Sequence, residues 1–82
     1  EARKEHSKKI KKAEREVEEI EKIVSLLEAE ISDMDQQLQL TENASNPDFI
    51  MNYQKKQREL EQRMYEWEIM SENLEELKNI SI

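Results

Sequence analysis

The chain reads as all-α, a two-helix antiparallel coiled-coil hairpin. Three observations predict this: an apolar heptad repeat, one cluster of helix-interrupting residues near the middle, and charge blocks of opposite sign that meet if the chain folds back. From Ile10 the apolar side chains fall at Ala13, Val17, Ile20, Val24, Leu27, Ile31, Met34 and Leu38, an unbroken 3-4 alternation. That spacing places a at Ile10, Val17, Val24, Ile31 and Leu38, and d at Ala13, Ile20, Leu27 and Met34, one narrow stripe of a left-handed coiled coil. Charged residues fill most other positions, as a solvated helix surface requires.

Helix 1 is thus expected over about residues 3–40, and a loop over 41–46, where Asn43, Ser45, Asn46 and Pro47 cluster. Ser45 or Asn46 supplies the N-cap of helix 2, because a side-chain oxygen there accepts from the unpaired first-turn amides; Pro47 suits the first helical position, which needs no amide hydrogen. Helix 2 is expected over about 47–79, with Ile50, Tyr53, Gln57, Leu60, Met64, Trp67, Ser71 and Leu74 in the same alternation. Met70 and Leu77 read as a three-residue slip after Trp67, which overwinds the coil locally or turns another face outward. Two such helices joined by a short loop fold back as a hairpin about 50 Å long.

Charge supports that pairing. Residues 3–15 hold seven bases against two acids, a net of +5, and residues 59–76 hold seven acids against Arg63, a net of -6. With Leu38 facing Ile50, Ile31 lies near Gln57, Val24 near Met64, Ile20 near Trp67 and Ala13 near Leu74, so the basic start meets the acidic end. Each exposed pair contributes ~0.3 to 0.5 kcal/mol. One edge conflicts: Glu14, Glu21, Glu28 and Asp35 flank Gln54, Glu61, Glu68 and Glu75. A local register shift, Lys side chains reaching across, or an edge left open for a partner would each resolve it.

Composition excludes most chemistry. Eighty-two residues with no Gly, no Cys, one His and one Pro make at most one domain. Without Gly there is no phosphate-cradling loop and no nucleophile elbow, since each needs a backbone with no Cβ in the way. One His and no Cys leave a zinc site short of donors. No catalytic, cofactor-binding or metal-ligating residue is expected. No signal peptide is expected, and no apolar run approaches the ~18 residues of a membrane span. The sequence opens in mid-pattern on Glu1, as a piece of a larger protein would.

A resemblance enters at Asn46-Pro47-Asp48-Phe49-Ile50-Met51-Asn52-Tyr53-Gln54 and the downstream Tyr65-Glu66-Trp67-Glu68, preceded by a Glu/Lys-rich helix ending in Leu27-Glu28-Ala29-Glu30-Ile31. Over nearly its whole length the chain resembles the C-terminal coiled-coil domain of the ABC-F subfamily of ATP-binding cassette proteins. The resemblance implies a soluble, cytoplasmic parent ATPase without transmembrane domains. Such proteins mostly act on ribosomes, and some carry a nucleic-acid-binding C-terminal domain. ATP and Mg would belong to that parent, with no nucleotide site in this segment.

The candidate contact residues are Lys4, Lys8, Lys9, Lys11, Lys12 and Arg15, with Lys55, Lys56 and Arg58 as a smaller cluster near Tyr53. They either neutralise phosphates of ribosomal RNA or DNA, or form a solvated face opposite the acidic end of helix 2. Phe49 at the tip either closes over Leu38 or Leu40 or is a contact point. Trp67, Met64 and Met70 either fill the seam near Ile20 or form an adaptable groove, and His6 occupies a d position near the start. Three functions stay open: a non-catalytic arm contributing ribosome, RNA or DNA contacts to an ABC-F ATPase; a purely structural coiled coil, monomer or weak homodimer; and a standalone DNA-binding hairpin. None involves a membrane.

Overall fold

The computed structural model describes residues 1–80. They form α1 (Ala2–Leu38), a single turn α2 (Thr41–Ala44) and α3 (Pro47–Asn79), with no strand among the described residues. The fold is all-α. Helix α1 stops at Leu38, short of residue 40, and the 41–46 segment holds a turn of helix where a plain loop is expected. The cause lies in the carbonyls left over where α1 ends. Leu40 turns to an extended backbone, and the folded-back α2 lets Asn43 Nδ2 donate to the carbonyl of Gln37 at 3.1 Å.

Of the two cap candidates, Asn46 is the one used. Its Oδ1 accepts from the amides of Asp48 at 3.0 Å and Phe49 at 3.4 Å, and Pro47 follows as the first helical residue. The Ser45 hydroxyl instead donates back to the carbonyl of Glu42 at 3.2 Å.

A helix the length of α1 spans about 55 Å at 1.5 Å per residue. The whole molecule measures 62 × 15 × 14 Å, so α3 lies alongside α1 rather than beyond it. Cross-helix pairs run in opposite chain order: Asp35 with Tyr53, Glu30 with Lys56, Glu21 with Trp67, Glu14 with Lys78.

The two helices share the seam unequally. In α1 the buried side chains are Ala13, Val17, Ile20, Leu27 and Ile31, with Ile20 and Leu27 each 4% exposed. Helix α3 has no buried side chain. In its middle the half-buried positions are Lys56, Leu60 and Arg63, with Glu59 and Glu66 beside the two cations, while Gln57 is exposed and Met64 stands 49% exposed. The a row expected from sequence (Ile50, Gln57, Met64, Ser71) therefore yields there to the neighbouring row Phe49, Lys56, Arg63, Met70 and Leu77, a rotation of α3 by roughly 50°, one heptad position. At both ends the two rows are half-buried together.

Apolar content explains the rotation. The observed row holds Phe49, Met70 and Leu77, and the long alkyl stems of Lys56 and Arg63 complete it while their charged heads reach outward to Glu30 at 2.9 Å and Glu66 at 3.0 Å. The displaced row offers only Ile50 and Met64 as apolar members. With this row in the seam, the run Tyr53, Lys56, Leu60, Arg63, Trp67, Met70, Leu74, Leu77 keeps an unbroken 3-4 spacing. The slip expected after Trp67 is absent.

Substitutions should follow this asymmetry. Leu27→Ala is expected to cost ~3 kcal/mol, within the range for buried Leu truncations, whereas Met64→Ala should cost less than ~1 kcal/mol. Asn46→Ala, which removes the α3 cap, should cost ~1 kcal/mol. Urea unfolding followed by helical circular dichroism measures all three.

Candidate nucleic-acid interface

The basic residues of α1 separate by direction. Lys8, Lys11, Lys12 and Arg15 recur at helical spacing, are all exposed, and line one shallow depression. At 100° per residue the centre of this face points roughly 160° away from the Ala13, Val17 and Ile20 stripe, so Lys8, Lys11 and Arg15 look away from α3, while Lys12 at its edge also borders a depression with Asn73 and Leu77. Lys4 falls on the same face. Lys9 lies on the other side, beside Ala13, Asn73 and Leu77. Among the described residues no ion pair involves any basic residue from Arg3 to Arg15.

The expected neutralisation by the acidic end of helix 2 is therefore not what the structure contains. In the register set by Asp35–Tyr53 and Glu21–Trp67, Lys8 to Lys12 lie level with residues 76–80, beyond most of the acidic block. That block lies level with the Glu-rich middle of α1. Acid thus faces acid over the centre of the molecule, and the positive charge stands apart at one end.

The smaller cluster is divided. Lys56 turns inward and is held by Glu30 at 2.9 Å and Glu59 at 4.0 Å, so it is committed to the seam; Lys55 and Arg58 stay exposed on the outer side. These two lie about 30 Å along the axis from Lys12. The two basic groups do not converge on one site. Phe49 is half-buried, and the exposed apolar residues of the tip region are Leu40 and Met51, which the seam reading passed over. Both lie off the expected stripe, as do Leu26, Tyr65 and Ile69, and that is the signal by which sequence could have found them. His6 is half-buried.

Three carboxylates of the like-charged edge have found donors. Asp35 accepts from the Tyr53 hydroxyl, Glu21 accepts from the Trp67 indole N–H at 3.1 Å, and Lys78 reaches one turn past its level to Glu14 at 3.9 Å. Neutral donors thus settle two positions that an extra charge was not available to settle. Glu28, Glu61 and Glu68 make no ion pair among the described residues.

Among the described residues no group of three or more His, Asp or Glu side chains could hold a metal ion, and no helix is long and apolar enough to cross a membrane. The arrangement offers fixed charge and surface shape. No family model, no curated protein and no solved structure matches this chain.

Two cross-helix contacts carry a pH signature. The hydrogen bond to Asp35, then partial desolvation and the Asp35 charge, raise the Tyr53 hydroxyl above its ordinary 10.0. The hydrogen bond to Glu30, then that carboxylate's charge, raises the Lys56 ammonium above its ordinary 10.5. Both folded values exceed the unfolded ones, so the stabilisation is complete below the ordinary values and is lost as pH rises through the raised ones. The melting temperature should therefore hold to about pH 9 and fall above pH 10. The advantage of the wild type over Tyr53→Phe should shrink over the same alkaline range in thermal scans.

Proposed function

We propose that this chain is a non-catalytic, antiparallel coiled-coil hairpin that serves as an arm of an ABC-F type ATPase and contacts the phosphate backbone of structured RNA or DNA, on the ribosome in the first instance. The observation that carries this reading is the outward face of Lys8, Lys11, Lys12 and Arg15, joined by Lys4, whose charges are matched by no carboxylate among the described residues. Lys and Arg presented on a helix side neutralise phosphates and release their counterions, which gives affinity without base readout.

Distribution favours the reading more than the total. The chain as a whole is at -7, which opposes general attraction to a polyanion. The acid is concentrated in the middle, though, and the Debye length at physiological salt is about 8 Å. A polyanion laid across the basic end is therefore screened from most of it. Attachment to an ATPase rests on the loop and Tyr-Glu-Trp-Glu resemblance, as does a cytoplasmic setting. ATP and Mg would be bound by the parent's cassette domains.

Fluorescence anisotropy with a labelled RNA duplex and a DNA duplex across a salt series tests the nucleic-acid contact. The logarithmic slope of affinity against salt should be roughly -3 to -4, the value for about four phosphates. The combined Lys8→Gln, Lys11→Gln, Lys12→Gln and Arg15→Gln variant should bring the slope close to zero. An unchanged slope, or no binding at low salt, would contradict the reading.

A further inference from the structure

The rotation of α3 opens a groove on one side of the molecule. Between the helices, half-buried Val24 faces Met64 and Trp67, and Glu21 and Glu28 stand at the margin. Neighbouring depressions on the flanks of α1 and α3 carry Leu26, 64% exposed, and Tyr65, 65% exposed. Polar Glu21, Lys22 and Ser25 separate Leu26 from Val24, so the apolar band between the helices is formed by Val24, Met64 and Trp67. The acidic positions beside it, from Glu18 to Glu28 on α1, extend about 15 Å along the axis, close to three helical turns.

The rim is almost wholly acidic. Glu18 and Glu28 border the groove on α1 and Glu61 and Glu68 border it on α3, with Lys22 the single base lining it. None of these carboxylates makes an ion pair among the described residues. We propose that this groove docks a basic amphipathic helix of a protein partner, its apolar side chains seated on Val24, Met64 and Trp67 and its flanking Lys or Arg residues meeting the rim.

Charge selects that occupant. A second copy packed face to face would bring the same carboxylates against themselves, and like charges at an interface are a repulsive term. The basic face of another copy lacks apolar side chains to fill the band. A helix fits the shape, since a groove between two packed helices takes apolar side chains from a third at i, i+3, i+4 and i+7 spacing. Met64 suits such a surface because its unbranched thioether adapts to different neighbours. Trp67 is already oriented by its bond to Glu21, which keeps its polar edge satisfied while the residue stays 37% exposed.

Trp67, the one Trp of the chain, reports on the groove. The 82-residue chain is titrated with a synthetic helical peptide carrying Leu on one face and Lys on its flanks, and with a twin in which Glu replaces Lys. The basic peptide should give a saturable blue shift of Trp67 emission, and the acidic twin none. The Glu61→Lys, Glu68→Lys double variant alters only exposed positions and should weaken binding about tenfold or more, as should Met64→Asp. No saturable shift, equal affinity for both peptides, or indifference to these variants would overturn the proposal. A dimer in sedimentation equilibrium that competes with the peptide would assign the groove to a second copy, and an equal shift with phosphatidylcholine vesicles would assign it to lipid. The basic-face variant should bind the peptide normally, so failure here and failure of the nucleic-acid reading are separable.

Discussion

Two helices have one seam between them, and whatever apolar surface lies off that seam stays in water. A globular monomer of 9.9 kDa exposes about 5,200 Å² by the usual scaling of surface with mass. This chain exposes 6772 Å². With so little burial available, the choice of which α3 row enters the seam governs the rest of the structure. The row that enters contains two cations, and it wins because three strong apolar residues accompany them and alkyl stems serve as packing while ammonium and guanidinium heads remain solvated. Everything distinctive about the surface follows from that exchange: Lys56 is taken out of the candidate interface, Met64 is turned outward, and Trp67 is left at the edge of a groove.

Charge then divides the molecule lengthwise. Because acid in α1 lies level with acid in α3, long cation-carboxylate ladders across the seam are not available, and neutral donors from Tyr53 and Trp67 take their place. Salt bridges between exposed groups contribute little in any case. The packing of α3 on α1 rests on the α1 stripe, the Asn46 cap and the α2 turn, while charge distinguishes the two ends of the molecule. The proposed polyanion contact lies at the basic end, and the proposed cationic partner meets the acidic rim of the groove.

The α1 stripe was legible because its nine positions are all apolar at strict spacing, with no competing row. The register was also accessible, since hydrophobic rows and the position of the turn leave few alignments. The face of α3 was not. Sequence counts Lys and Arg as polar, so a row reading Phe, Lys, Arg, Met, Leu is passed over for Ile, Gln, Met, Ser, although the alkyl stems make the first the better filling. The same error misplaced Lys56 among free cations and Met64 among core residues. The basic face of α1 was recognisable as residues but not as a direction. Its direction depends on helix phase near Lys8 to Arg15, and opposite charge blocks predict a facing that the packing does not give.

Methionine oxidation tests the rotation of α3 with no substitution at all. Brief peroxide treatment of the native chain, followed by peptide mass spectrometry, compares how fast the exposed and half-buried thioethers become sulfoxides. Met64, at 49% exposure, should oxidise clearly faster than half-buried Met70. If Met70 oxidised first and Met64 were protected, the seam would carry the Gln57, Met64 and Ser71 row, and the account of the groove and of Lys56 would be contradicted.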